Sequence, residues 1–367
     1  MALGRDMSSD ADVIVVGGGP AGCAAAIWCA LSGMSVVQLG TGLAPSRQPG
    51  ETLHPGIAPI FRQLGVLDAV TKASPIRYAD IIVNWGGMVS TLRLGGDGSH
   101  ARGFQILRND LNEILLSRAA VLGVTMDSRR AEAPADGDRR VLGVNVGSQD
   151  LCSRFVIDAS GGNWLRRHMD VGWTRASRRL VARYGYATGR ADGGATSPML
   201  VADHQGWVWT APVSSRLLQW TRLTFLPARD VEAPPHLADL PSIGESRAAN
   251  VTWRWASRPA GPGYFLVGDA ASVLDPASGR GVLHALMSAM MAAHLIRDVL
   301  KSGLTEPSAA ARFTRWTHDW FQRDARQLTQ RYALLDTSWR MGPLPDPASS
   351  SSIPLQPQDR SAQWAIP

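Results

Sequence analysis

The stretch DVIVVGGGPAG, Asp12 to Gly22, decides how the rest of the chain is read. Val13 to Val16 make a short apolar run, which enters Gly17-x-Gly19-x-x-Gly22 and continues into the small residues of a helix from Ala24 to Leu31. Strand, glycine turn and helix in that order suit a dinucleotide pyrophosphate. Gly17 permits the tight turn, and Gly19 lets the backbone approach the phosphates. Gly22 lets the helix pack close, while the helix N-terminus, with Pro20 and Ala21 in its first turn, meets the negative charge. The acidic residue that would close the second strand and hold the ribose is missing, because the segment reads VVQLGTG and Gly40 occupies its position. Thr41 or Arg47 could serve the adenosine instead.

The 367 residues include 45% hydrophobic side chains, enough to bury a core or two. Of 37 basic residues only Lys72 and Lys301 are lysines, and the arginines are scattered, so the net charge of +6 does not imply nucleic acid. Cys23, Cys29 and Cys152 are odd in number and form no CxxC pair, which argues against a disulfide framework and a zinc site. No other metal cluster stands out. MALGRDMSSDAD lacks the apolar core of a secretion signal, and a cytoplasmic enzyme is expected. The longest apolar run, Val282 to Ile296, is shorter than a bilayer span of about 20 residues and reads as a buried helix rather than a membrane span.

A second signal lies far downstream in GYFLVGDAASVLDPASGRGVLHALMSAMMAAHLI. A strand leads into Gly268-Asp269, then Asp275-Pro276, then Gly279-x-Gly281 opening an apolar helix. A carboxylate there can accept a ribityl hydroxyl, and the helix N-terminus favours the anionic charge of a reduced flavin. These residues resemble FAD-dependent enzymes of the aromatic-hydroxylase and flavin-halogenase group, and FAD is the cofactor the resemblance implies. Three further stretches join it. Gly50-Glu51-Thr52-Leu53 is similar to the group's segment at the flavin edge, which places Glu51 and Thr52 there with His54 beside them. ILRNDLNEILLSRAAVLGV resembles the helix that keeps an arginine, here Arg108, beside the flavin. FVIDASGGN resembles the strand ending whose Asp158, Ser160 and Gly161 would line the path from adenine to ribityl chain. Each has a local alternative, such as Asp158 capping a turn or Arg108 in a surface ion pair. With one nucleotide fingerprint in the chain, electrons would come from transiently bound NAD(P)H or a partner flavin reductase.

WVWTAP, Trp207 to Pro212, puts two indoles on one side of an extended segment, and Pro212 is expected to end the pairing. The stretch matches the WxWxIP signature of flavin-dependent halogenases except at Ala211. Halogenation in that group also needs a lysine and a glutamate. The lysine would fall at about Ile81 in ADIIVNW, and the glutamate at Ser278, Gly279 or Arg280. The expected activity is therefore hydroxylation of an aromatic, indole-bearing substrate through a flavin C4a-hydroperoxide, with Trp207, Trp209, His54 and Glu51 as candidate catalytic residues. The alternative is a halogenase or a small-molecule indole hydroxylase of natural-product biosynthesis. In length, in its GDAAxxLDPAS segment and in the aromatic helix from Trp316 to Leu335, the chain resembles flavoprotein maturases of cysteine tryptophylquinone oxidases. That likeness implies a tryptophan-containing partner protein as substrate, beside an aromatic small molecule.

The pattern of strands and helices predicts an α/β fold, a Rossmann-like FAD-binding domain interleaved with an antiparallel-sheet substrate domain, plus C-terminal helices. FAD-binding segments are expected at 1–75, 101–170 and 251–300, and the substrate domain at 76–100 and 171–250, with Trp85 and Trp220 candidates beside its cavity. A helical segment would follow at 301–340, its aromatic residues covering the flavin domain, and then a flexible tail at 341–367.

Overall fold

The computed structural model describes residues 9–40, 49–94, 101–137, 140–162, 164–189, 197–225, 234, 237 and 239–344. Thr41, Arg47 and the tail beyond 344 lie outside these residues.

Strands β1 (Ala11–Val16), β2 (Val36–Leu39), β7 (Thr125–Asp127), β10 (Gln149–Asp158) and β19 (Tyr264–Leu266) run parallel in the order β19-β10-β1-β2-β7, with β18 (Ala260–Gly261) antiparallel at the edge. A parallel sheet is covered on both faces, and β1 shows how. Val13 and Val15 pack into a core shared with helices α1 (Pro20–Leu31), α4 (Arg108–Val121) and α5 (Gly281–Lys301). Ile14 and Val16 alternate to the other face, in a core with Val141, Val144 and Val146 of β9 (Arg140–Val146), the strand that pairs with β8 (Ala133–Gly137). Each of these buried aliphatics contributes roughly 1.5–3 kcal/mol by leaving water.

The small residues of α1 allow close approach: Ala24, Ala25 and Ala26 are fully buried in the same core as Ala289, Ala292 and Ala293 of α5. At 21 residues α5 is longer than its apolar run predicts, and by length and composition it could cross a membrane. In this fold its apolar stripe, Val282, Leu286, Leu295 and Ile296 included, is buried in the core of the parallel sheet.

The second sheet has the order β16-β12-β15-β14-β13-β4-β5. Its strands are β4 (Asp80–Trp85), β5 (Met88–Arg93), β12 (Val181–Thr188), β13 (Met199–Asp203), β14 (Gly206–Ser214), β15 (Leu217–Thr224) and β16 (Arg247–Asn250). All pairings are antiparallel except β13 with β4, which are parallel, and the chain contributes strands to the parallel sheet between them. Pro212 does not end the pairing as expected. It stays in register opposite Leu218, and a bulge carries the ladder on to Ser214, the kind of irregularity at which a strand tolerates proline.

Two small sheets join the layers. β3 (Glu51–Leu53) pairs with β6 (Phe104–Ile106), ahead of helices α2 (Ala58–Leu64) and α3 (Leu67–Lys72). β11 (Trp173–Arg175) pairs with β17 (Arg254–Ala256), which pairs with β20 (Ser272–Val273). Helix α6 (Glu306–Leu335) starts at Thr305, whose side chain accepts the Ser308 amide, and has Pro307 in its first turn. It does more than cover the parallel sheet. Phe313 is buried in the core of the parallel sheet, whereas Phe321, Leu328 and Tyr332 are buried in the core of the second sheet, so one helix ties both together.

Candidate active site

A cavity of about 1680 Å³ lies between the two sheets. Pockets for single drug-sized ligands are roughly 300–1,000 Å³, so this space has room for a large ligand and a smaller one together. At one end Gly17 to Ala21, Gly40, Arg130, Ser160 and Gly161 line it; at the other are Ile81, Leu200, Trp207, Trp209 and the inner stripe of α6.

The glycine turn divides its labour by geometry. A Cβ on Gly17 would lie 2.4 Å from the Ala159 carbonyl oxygen, and one on Gly22 would lie 2.1 Å from that of Gly17. Those two positions exist for protein packing. A Cβ on Gly19 would meet no protein atom within 4 Å, so its missing side chain leaves room on the cavity side, at the N-terminus of α1. Gln38, fully buried, donates from Nε2 to the Gly17 carbonyl oxygen at 2.9 Å and braces the turn; nothing in the fingerprint pattern marks it. Where the ribose-binding acid is missing, Gly40 and Arg130 line the wall, and Arg130 escaped the sequence reading because it is distant from the fingerprint.

The second glycine turn meets the first. A Cβ on Gly268 would approach that of Ala21 to 3.0 Å, and the Gly268 amide donates to Ser288 Oγ. Gly268 thus seats the turn against α1 without lining the cavity, while Asp269, Pro276, Gly279 and Gly281 do line it. Asp269 opens onto the cavity with protein on its other sides; that desolvation raises its pKa, and Arg108 and Arg254 pull it back.

Arg108, first residue of α4, binds Glu51 Oε1 through Nη1 at 2.6 Å. Burial raises the Glu51 pKa, Arg108 opposes that, and Asp269 adds to it. One guanidinium therefore serves two carboxylates, which gives Glu51 a positioning role on Arg108. Thr52 donates to Gln105 Oε1 at 2.9 Å across β3 and β6. His54 accepts the Gly56 amide on Nδ1 and is held down to about 4, by burial first and Arg280 second. The ring is therefore neutral near pH 7, with its proton on Nε2.

Asp158 departs from expectation. Its carboxylate accepts the backbone amides of Ser160 and Leu165 at 2.9 and 3.1 Å, so it builds the turn that presents Ser160 and Gly161 to the cavity without facing it. Trp85 and Trp220 are also absent from the wall. Trp220 pairs with Thr210, one residue out of step with Trp209, and alternation sends it to the opposite face beside Leu218 and Leu237. Trp85 stacks on Tyr332 and donates to the Arg331 carbonyl oxygen.

Behind the wall stands a buried polar chain that the sequence does not announce. Trp207 Nε1 donates to Tyr332 Oη at 2.7 Å, Tyr332 donates to Asp275, and Trp253 Nε1 donates to the same carboxylate at 2.5 Å. The Ala277 amide supplies a further donor to Asp275, whose pKa is pushed up to about 6 by burial despite these bonds.

The polar groups that face the cavity fit FAD. Arg108 Nε and Asn112 Oδ1 are buried without partners among the described residues, and both residues line the wall. With the open space at Gly19 and the α1 and α5 N-termini, they supply donors, an acceptor and dipole ends for a dinucleotide carrying a polar ring system.

Comparison with known proteins agrees with this geometry. Residues 95–339 match the family described as tryptophan halogenase. A tryptophan 2-halogenase from Chondromyces crocatus is 28% identical over 368 residues, covering 89% of this chain and 69% of that protein. A menaquinone reductase from Mycolicibacterium smegmatis is 28% identical over 331 residues, covering 83% and 80%. Among solved structures, a myxobacterial chondrochloren halogenase, a variant of FAD-dependent halogenases, superposes with a TM-score of 0.80 at 25% identity, covering 89% of this chain and 84% of its own. A peptidyl tryptophan dihydroxylase essential for tryptophylquinone cofactor biogenesis superposes at 0.68 with 22% identity, covering 89% and 76%, a likeness of fold alone.

Proposed function

The chain belongs to the tryptophan halogenase family of FAD-dependent oxidoreductases, and from that premise we propose that it is a monooxygenase which hydroxylates an electron-rich aromatic ring, indole foremost. FAD held here, once reduced by NAD(P)H or a partner flavin reductase, would supply two electrons to dioxygen, so that with two protons one oxygen atom enters the ring and the other leaves as water. The residues do the rest. Trp207 and Trp209 both line the cavity, with Trp207 held in orientation by Tyr332. His54 presents a neutral ring with a proton on Nε2, and the Glu51–Arg108 pair would brace the edge of a bound flavin.

The observation that carries this reading is the placement of the two lysines. Lys72 is exposed at the end of α3, and Lys301, at the end of α5, donates to the Ser32 carbonyl oxygen at 2.7 Å. Neither lines the cavity, where Ile81 takes the position at which the halogenase resemblance expects an amine. Oxygen transfer asks for substrate held close and water excluded, and this wall is built for that. Halogenation is the second reading, favoured by the family match and by the indole pair of WVWTAP.

The deciding experiment reduces the holoenzyme without oxygen, then admits air with indole substrates or a tryptophan-containing peptide in the presence of bromide, and reads the product by mass spectrometry. Addition of one oxygen atom is expected; a brominated ring would overturn the proposal. Replacing both Trp207 and Trp209 with phenylalanine is expected to lower the fraction of consumed oxygen that reaches product, the remainder appearing as hydrogen peroxide. Unchanged coupling with a lower melting temperature would reduce the two indoles to core packing.

A further inference from the structure

Helix α6 contributes one stripe to the cavity: Asp324, Gln327, Leu328 and Arg331, at i, i+3, i+4 and i+7. Two cations meet there. Arg280, in the loop before α5, is neutralised by Asp324, which is 3% exposed and also receives Arg323 Nε at 3.3 Å. Arg331 has no such answer. Among the described residues its guanidinium has no ion pair and no hydrogen bond, and burial and the like charge of Arg280 both lower its pKa.

Arg331 is also fixed in place. Its carbonyl oxygen accepts Trp85 Nε1 at 3.1 Å, and the next residue, Tyr332, receives Trp207 Nε1. The guanidinium therefore projects from a pinned turn of helix beside the wall of Ile81, Leu200, Trp207, Trp209 and Leu328, at the end of the cavity away from the glycine turn that suits the pyrophosphate. A half-buried cation next to a second cation costs free energy that the fold does not recover, and cationic groups lacking partners in a cleft mark ligand sites.

Resting on the monooxygenase reading of the same cavity, we infer that Arg331 receives an anionic group of the substrate. The substrate class is then an aromatic ring carrying a carboxylate on a short arm, with the ring against Trp207 and Trp209 and the carboxylate bonded to the guanidinium fork. Arginine suits this task because its planar donors match a carboxylate two at a time.

The test uses oxidised holoenzyme without reductant, so it does not depend on which product the enzyme forms. Two isosteric probe pairs, indole-3-acetate with indole-3-acetamide and phenylacetate with phenylacetamide, are titrated while the visible flavin spectrum and calorimetric heat are followed. In at least one pair the acid is expected to bind about tenfold or more tighter than its amide. Arg331→Gln, loaded with FAD to the same stoichiometry, loses that preference and leaves amide affinity within about twofold, while Arg331→Lys restores part of it. Absence of acid preference in both pairs, or a preference that survives in Arg331→Gln, overturns the inference. So does an Arg331-dependent response to chloride alone with no response to either acid, which would make the position a halide site.

Discussion

Gly19→Ala is expected to fold as well as the parent chain and to emerge from purification colourless. A methyl group there touches no protein atom within 4 Å, so apoprotein stability should fall by no more than about 1 kcal/mol, the cost of alanine at a helix N-cap. It does occupy the space through which the dinucleotide phosphates approach the backbone, and FAD affinity should fall at least tenfold, about 1.4 kcal/mol. Gly22→Ala should do the reverse of the first effect: its methyl group would sit 2.1 Å from the Gly17 carbonyl oxygen, and the backbone shift that relieves the clash costs about 3 kcal/mol or more. Thermal melts of the two apoproteins, with flavin absorbance per chain after desalting, separate the cases. A Gly19→Ala protein that keeps stoichiometric FAD would remove the glycine turn from the cofactor site.

The second large effect concerns Asp275. Asp275→Ala strands Trp253 Nε1, the Tyr332 hydroxyl and the Ala277 amide in a buried place. At about 1–3 kcal/mol for each stranded group, the loss approaches the whole stability of a typical domain, about 5–15 kcal/mol, and little soluble protein is expected. Asp275→Asn keeps the shape and exposes the charge dependence. A carboxyl that binds its proton more tightly in the folded chain stabilises the fold while protonated. With Asp275 raised from 3.8 to about 6, that contribution is full below about pH 4 and disappears as pH rises through 6. The stability difference between wild type and Asp275→Asn should therefore shift by on the order of 3 kcal/mol against wild type between about pH 3 and pH 7. Urea titrations of both proteins across that range measure it, and a pH-independent difference would mean that the carboxyl keeps an ordinary proton affinity.

What the sequence discloses about this site depends on whether the constraint is local. The fingerprint from Gly17 to Gly22 is legible because its clashes arise within one turn and its immediate neighbour β10. The shared face of Trp207 and Trp209 is legible because strand periodicity needs no partner. The misplacement of Trp220 shows the limit: facing depends on the cross-strand register, and that is set by a turn and a bulge rather than by residue type. Asp158 looks like a ligand contact from its place after a strand, yet the amides that satisfy it belong to the turn it closes. The chain of Trp207, Tyr332, Asp275 and Trp253 draws on four distant segments, each of which reads alone as core or loop. Arg331 is the hardest to see, since along the helix it resembles any solvated arginine, and its lack of a partner emerges only when the surrounding elements close around it.

The interleaving of the two sheets has a consequence for how the protein is made. β10 is flanked by β1 and by β19, so the nucleotide-binding sheet stays an open template until Tyr264 to Leu266 have left the ribosome. At about 5–20 residues per second, the roughly 250 residues between β1 and β19 take on the order of 10–50 s to appear. The nascent chain meanwhile carries an unpaired apolar edge, and the pigment can enter only after translation has passed that point. Growth conditions that starve cells of riboflavin should then act on a late species, leaving polypeptide synthesis untouched while apoprotein accumulates.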